Sequence, residues 1–219
     1  MTQREKVVAQ VSQMIKTLGV KSVRMDDVAT GLGMSKRTLY EMFGDKEELL
    51  YESILYMIEQ RQRCVSEQLK GCSNMLEVLL RSVRLIDDNA ESRDFERRLA
   101  FNLKKFYPNV FEKVQRAHTE QGLANLRNAL DKCLEEGYLD PNIDVELMAR
   151  LFFATSGMLM SENQIMIPDG VSRTEAFGAM AVNFIRGLAS VKGLQLIDEI
   201  LSKEERPLKL SERRVNKNN

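Results

Sequence analysis

The 219-residue sequence has no tryptophan, one histidine, three cysteines and four prolines. Each scarcity excludes something. His118 stands alone, and Cys64, Cys72 and Cys133 are scattered, so no ligand set at metal-binding spacing can be assembled. No Gly-rich phosphate loop and no recognisable catalytic set are present, which argues against an enzyme and calls for no cofactor. Cys64 and Cys72 would lie about 12 Å apart along one helix, too far for a disulfide. An odd number of cysteines predicts reduced, mostly buried thiols. No apolar run approaches the length of a membrane span. The opening MTQREKVVAQ lacks the unbroken apolar stretch of a signal peptide. A cytoplasmic protein with no membrane partner is the expectation. Formal charge is also missing: 32 basic residues offset 32 acidic ones, so overall electrostatics give no sign of a polyanion partner.

Strand-like stretches are few, and nearly everything present reads as amphipathic helix, which predicts an all-α fold. Val8, Val11, Ile15 and Leu18 recur at helical spacing until Gly19. Short helices are expected over about 25–32, ended by Gly33, and 36–43, with Ser35 as N-cap. Asp45 should cap a long helix to about Leu69, its spacing to Glu48 resembling a capping box. Further helices are expected over about 75–89, with Leu76, Leu79, Leu80, Val83 and Ile86 on one face, and over 94–106. Pro108 should open another to about Glu136. Asp144 should cap one reaching about Asn163, and the last strong helix should span about 174–188. The tract 165–171 reads as a loop, and the chain from Lys203 onward as a frayed tail.

The informative stretch is Asp26 to Leu50, DDVATGLGMSKRTLYEMFGDKEELL. A helix-turn-helix needs a small residue where two helices cross, a turn residue that tolerates unusual φ/ψ, and one large apolar residue locking the second helix. Ala29, Gly33 and Leu39 supply these in order, and Val28, Leu32 and Phe43 complete a small core. With Leu39 pointing inward and each residue turning about 100°, Phe43 also points in while Arg37 and Glu41 point out. Thr38 and Tyr40 flank that outer face. Ser35 and Lys36 lie at the helix N-terminus, the end that meets bases and phosphates. Lys46, opening the next helix, is placed to reach a flanking strand. From Met1 to Gly44 seven basic residues face four acidic ones, a local excess of the sign a phosphate backbone attracts.

The run VATGLGMSKRTLYEMFGDKEELL, with the helix before it, resembles the DNA-binding domain of TetR-type (TetR/AcrR) regulators. The resemblance covers about Arg4 to Leu55. It implies that Ser35, Thr38, Tyr40 and Lys46 contact the DNA backbone, that Lys36 and Arg37 contact bases or phosphates, and that Leu39 and Phe43 are structural. Met42 departs from the pattern: many relatives place a phosphate-donating His or Tyr there.

The resemblance also implies that the last two helices form a four-helix interface with a second copy. Ala176, Phe177, Met180, Ala181, Phe184 and Leu188 share an apolar face, while Ala154, Ser156 and Gly157 permit close packing. Phe101, Phe106, Tyr107 and Phe111, with Met148 and Phe152 in the helix expected to face them, are candidates to line an apolar pocket, although each also serves as ordinary core. His118 reads as an exposed residue. The expected division is a helix-turn-helix domain over 1–46, a regulatory and dimerisation domain over 47–202, and a polar tail over 203–219. The leading function is a homodimeric repressor released from palindromic double-stranded operator DNA by a small apolar or amphipathic effector. An activator or a ligand-independent regulator would share this sequence. A helical protein-binding adaptor would account for the C-terminal part but gives no reason for the arrangement from Asp26 to Leu50.

Overall fold

A computed structural model describes residues 2–85, 90–160, 167, 168 and 170–203. The described chain is all-α. Ten helices run in the order α1 Gln3–Leu18, α2 Met25–Gly31, α3 Lys36–Phe43, α4 Lys46–Gln68, α5 Met75–Leu85, α6 Ala90–Phe106, α7 Pro108–Glu135, α8 Val145–Met160, α9 Arg173–Leu188 and α10 Val191–Ser202. A 3-10 turn, Val20–Ser22, follows α1. No strand occurs among the described residues; Leu139 and Ala189 form a single isolated bridge. The expected continuation of α5 through Ile86, the end of α8 beyond Met160, most of the 165–171 loop and the tail from 204 lie outside the described residues.

Local chemistry sets the helix starts. The Thr2 hydroxyl accepts from the Glu5 N–H while the Thr2 N–H donates to the Glu5 carboxylate, a complete capping box. Ser172 and Glu175 repeat it at α9. Asp45 accepts from the Glu48 N–H at 2.8 Å as expected, and the Glu48 carboxylate accepts from Lys113. Asp144 caps α8 through the Leu147 N–H.

The chain divides into two compact units, Met1–Glu67 with Asn89–His118, and Gln68–Asp88 with Thr119–Asn219. In the first, Val7, Val11, Ile15, Val28, Leu39, Leu49 and Leu50 are buried in one cluster, which also takes in Leu103 of α6 and Val110 and Val114 of α7. Ser12 and Ser53 are buried in it with their hydroxyls satisfied. The Ser12 Oγ lies 2.7 Å from the Val8 carbonyl and 2.8 Å from that of Ser53, and the Ser53 Oγ donates to the Leu49 carbonyl.

The second unit is organised around Leu76, Leu80, Leu130, Leu139, Ala149, Ile185 and Ile197. Its α10 extends the helical chain past the last helix expected from sequence. It is twelve residues long, with Gly193, a poor helix former, in its first turn, although Val191, Leu194, Ile197 and Leu201 recur at helical spacing. Ser190 caps it, and its apolar face closes on α5 and α9. Gly193 is required there, because a Cβ would run into the Tyr138 carbonyl. The thiols also differ from expectation: Cys133 is buried, but Cys64, on α4, is exposed and Cys72, in the connection between α4 and α5, is half-buried.

Candidate nucleic-acid interface

The first three helices build a helix-turn-helix from the residues that the sequence nominates. Ala29 is buried where α2 meets α3. Gly33 adopts φ +62°, the left-handed conformation that the corner demands and that favours glycine. The Met34 N–H returns to the Ala29 carbonyl at 3.0 Å, closing the turn. Ser35 then caps α3, its Oγ accepting from the Thr38 N–H at 3.0 Å and lying 2.8 Å from the Thr38 hydroxyl. Gly44, at φ +72°, ends the helix.

Leu39 is 0% exposed and Phe43 3%, so both anchor α3 from behind. The opposite face is open. Arg37 has 88% of its side chain exposed and Tyr40 is 41% exposed, while Ser35 and Lys36 are also exposed and Thr38 is half-buried. Two pairs tether this face. Arg37 bonds Glu41 at 2.8 Å, one turn on, and Lys36 lies 2.9 Å from Asp26 of α2. That bond to Asp26 holds the Lys36 ammonium above its ordinary pKa, so its charge is secure. Exposed pairs of this kind contribute little, so a phosphate or guanine edge can compete for either cation.

Arg4 is a contributor the sequence reading missed. Its guanidinium lies 4.5 Å from the Phe43 ring centroid, donates to the Met42 carbonyl and pairs with Glu52 of α4. One side chain thus ties α1 to the end of α3 and to α4. An arginine 38 residues from its carbonyl partner leaves no periodic trace in the sequence. Lys46 differs from the other nominated residues, being half-buried with its ammonium donating to the Tyr107 hydroxyl at 2.8 Å.

The residues nominated for an apolar pocket are not gathered into one unit. Phe106, Tyr107 and Phe111 belong to the first unit, where Tyr107 and Phe111 pack on its core, and Phe101 there is 65% exposed. Lys21 and Lys105 sit over the Phe106 ring. Met148 and Phe152 belong to the second unit. Phe152 meets Phe153, Phe177 and Phe184 there, with centroids 4.9–6.3 Å apart, and Gly122 makes room for the Phe153 ring. An open groove of about 700 Å³ lies elsewhere in that unit, between Leu69, Asn74, Arg81, Arg84, Leu196 and Ile200. Of the nominated interface residues on α9, Phe177 and Leu188 are buried within the chain, whereas Ala176, Met180 and Phe184 are half-buried.

A capped α3, glycine corners on both sides and an exposed outer face bearing Lys36 and Arg37 make a helix-turn-helix, the arrangement that can place a helix in a DNA groove. Residues 12–52 match the family model for bacterial regulatory proteins of the tetR family. Solved structures of TetR-family transcriptional regulators superpose on the chain. One from Rhodococcus sp. is 20% identical, with a TM-score of 0.58, covering 87% of this chain and 100% of its own. One from Mesorhizobium loti is 21% identical, also at 0.58, with the same coverage. CifR, solved with a 26-base-pair operator, is 16% identical at 0.58, covering 85% of this chain and 99% of its own. No curated protein matches the sequence. Over residues 12–52 the chain is therefore similar to bacterial regulatory proteins of the tetR family, and it has the fold of the solved TetR-family transcriptional regulators.

Among the described residues no cluster of His, Cys, Asp and Glu could hold a metal ion, and no helix is long and apolar enough to cross a membrane.

Proposed function

We propose that the protein is a homodimeric repressor that reads a palindromic operator through α3 and is released by a small apolar or amphipathic effector. The reading head is residues 1–46, and residues 47–202 serve dimerisation and regulation. The observation that carries the DNA-binding reading is the division of α3 into a buried face, Leu39 and Phe43, and an open face bearing Ser35, Lys36, Arg37, Thr38 and Tyr40. Arg37 is the candidate base-reading residue, because its fork matches the O6 and N7 edge of guanine. Ser35, Thr38, Tyr40 and Lys46 are assigned to the backbone. The operator complex of CifR is a precedent within the same fold.

Dimerisation is supported by apolar side chains that the chain leaves uncovered. On α8, Leu147 and Leu151 are each 48% exposed and Met158 is 64% exposed. On α9, which packs beside α8, Ala176, Met180, Asn183 and Gly187 recur at helical spacing on the side away from buried Phe177 and Ala181. Of the residues nominated from sequence, Ala176 and Met180 suit this surface best. Two copies would place their reading heads on half-sites about one helical turn, or a multiple of it, apart.

The Phe152, Phe153, Phe177 and Phe184 cluster suits an apolar or amphipathic effector. A 100-fold loss of operator affinity asks about 2.7 kcal/mol of differential binding from that ligand. The test is selection of bound sequences from a random duplex library by the full chain, followed by footprinting. Recovery of an inverted repeat supports the reading, and binding without sequence preference overturns it. Displacement of the selected duplex by a panel of apolar and amphipathic metabolites then tests release. An effector that tightens binding would make the protein a ligand-dependent binder instead.

A further inference from the structure

Tyr107 is the single residue between α6 and α7, and its backbone is bonded on both sides. Its N–H donates to the Leu103 carbonyl at 2.8 Å, and its carbonyl accepts from the Phe111 N–H at 3.0 Å. Leu103 and Val110 beside it are buried in the first unit's core. The backbone of Tyr107 is therefore held in place, and its ring packs against that core. The Lys46 ammonium lies 2.8 Å from the Tyr107 oxygen and 5.1 Å from the centre of its ring. The same turn of α4 is braced again from α7, where Lys113 pairs with Glu48 at 3.0 Å and sits over the Tyr51 ring.

We propose that Tyr107 is a positioning residue for the DNA-backbone contact of Lys46, so that the α6–α7 corner governs the strength of that contact. The proposal rests on the assignment of Lys46 to a phosphate made above. A lysine ammonium has three protons, and the phenol oxygen takes one. Two remain for a phosphate, on a side chain whose four flexible bonds are already ordered. Binding then avoids most of the entropy cost of immobilising that chain. The partner is a hydroxyl and not a carboxylate, so it sets the position of the ammonium through a hydrogen bond alone. A shift of the corner moves the hydroxyl and withdraws the ammonium while leaving α3 intact.

The test compares wild type, Tyr107→Phe, Lys46→Met and the double variant, all as full chains. Each is titrated by fluorescence anisotropy onto a mixed-sequence duplex of about 30 base pairs, between about 50 and 200 mM salt. Lys46→Met should flatten the salt dependence by about 1.8, the value of one phosphate contact from each copy of the dimer. Tyr107→Phe, which keeps the ring and its packing, should weaken binding about two- to tenfold and flatten the slope by part of that amount. In the Lys46→Met background it should change nothing. Helicity and melting temperature of Tyr107→Phe should match wild type.

An equal loss in both backgrounds, with the slope unchanged, would mean that Tyr107 donates directly to DNA, and the positioning role would be overturned. An inert Tyr107→Phe beside an effective Lys46→Met would overturn it too. A slope unaltered by Lys46→Met removes Lys46 from the backbone and takes this proposal with it, while DNA binding itself stands. Failure of the wild type to bind any duplex overturns the proposed function as well.

Discussion

Leu39 and Arg37 lie two positions apart on one short helix and have opposite duties. Leu39 is fully buried, so Leu39→Ala removes apolar contacts and leaves a cavity, an expected loss of about 2–5 kcal/mol read by denaturant unfolding. Arg37→Ala should leave the unfolding curve within about 0.5 kcal/mol of wild type, because its pair with Glu41 is exposed. Its effect should fall on base preference, at about 1–3 kcal/mol between the selected operator and a variant at the contacted pair. Uniform weakening on every duplex would assign Arg37 to phosphate alone. The three thiols give a further readout. Burial pushes the Cys133 thiol up to about 12, so it stays protonated at neutral pH, whereas Cys64 is exposed. In the native protein Cys64 should react first with a thiol reagent, and Cys133 only on unfolding. Fast stoichiometric labelling of all three would contradict the buried site.

At the scale of elements, corners and caps do as much as helices. Gly33 at φ +62° has open space where a Cβ would stand, so Gly33→Ala meets only backbone strain and should cost about 1–2 kcal/mol. Gly31 also has open space but is helical, and Gly31→Ala should be neutral or stabilising by up to about 1 kcal/mol. Thermal unfolding of the pair separates conformation from crowding, and equal shifts would defeat the corner argument. The sequence makes this part of the molecule legible because its rules are local: Ser35 caps, Gly33 turns, and α3 matches its expected span, Lys36–Phe43, end for end. The same local rules fail at α10, whose glycine weakens the helical signal but is needed for contact with Tyr138.

For the whole molecule, the exposed side chains of α8 and α9 bear on assembly. Leu151→Glu with Met158→Glu places charge on the uncovered surface and should convert a dimer to monomers in analytical ultracentrifugation without unfolding either chain. Operator affinity should fall with the loss of the second reading head, and retention of the dimer would move the interface elsewhere. The nominated pocket residues fall in both units. Phe106, Tyr107 and Phe111 are distant in sequence from Met148 and Phe152, and periodicity reports an inward face without reporting which core receives it.

The sequence by itself determined the all-α class, the corner at Gly33 and the two-faced recognition helix. Each depends on neighbours within about ten residues, where backbone geometry and helical period act directly. Tertiary structure alone decided that Arg4 clasps the end of α3, that Tyr107 holds Lys46, and that Phe177 and Leu188 serve the chain's own core. Those outcomes depend on how separate helices approach one another, and a one-dimensional pattern carries no measure of that distance.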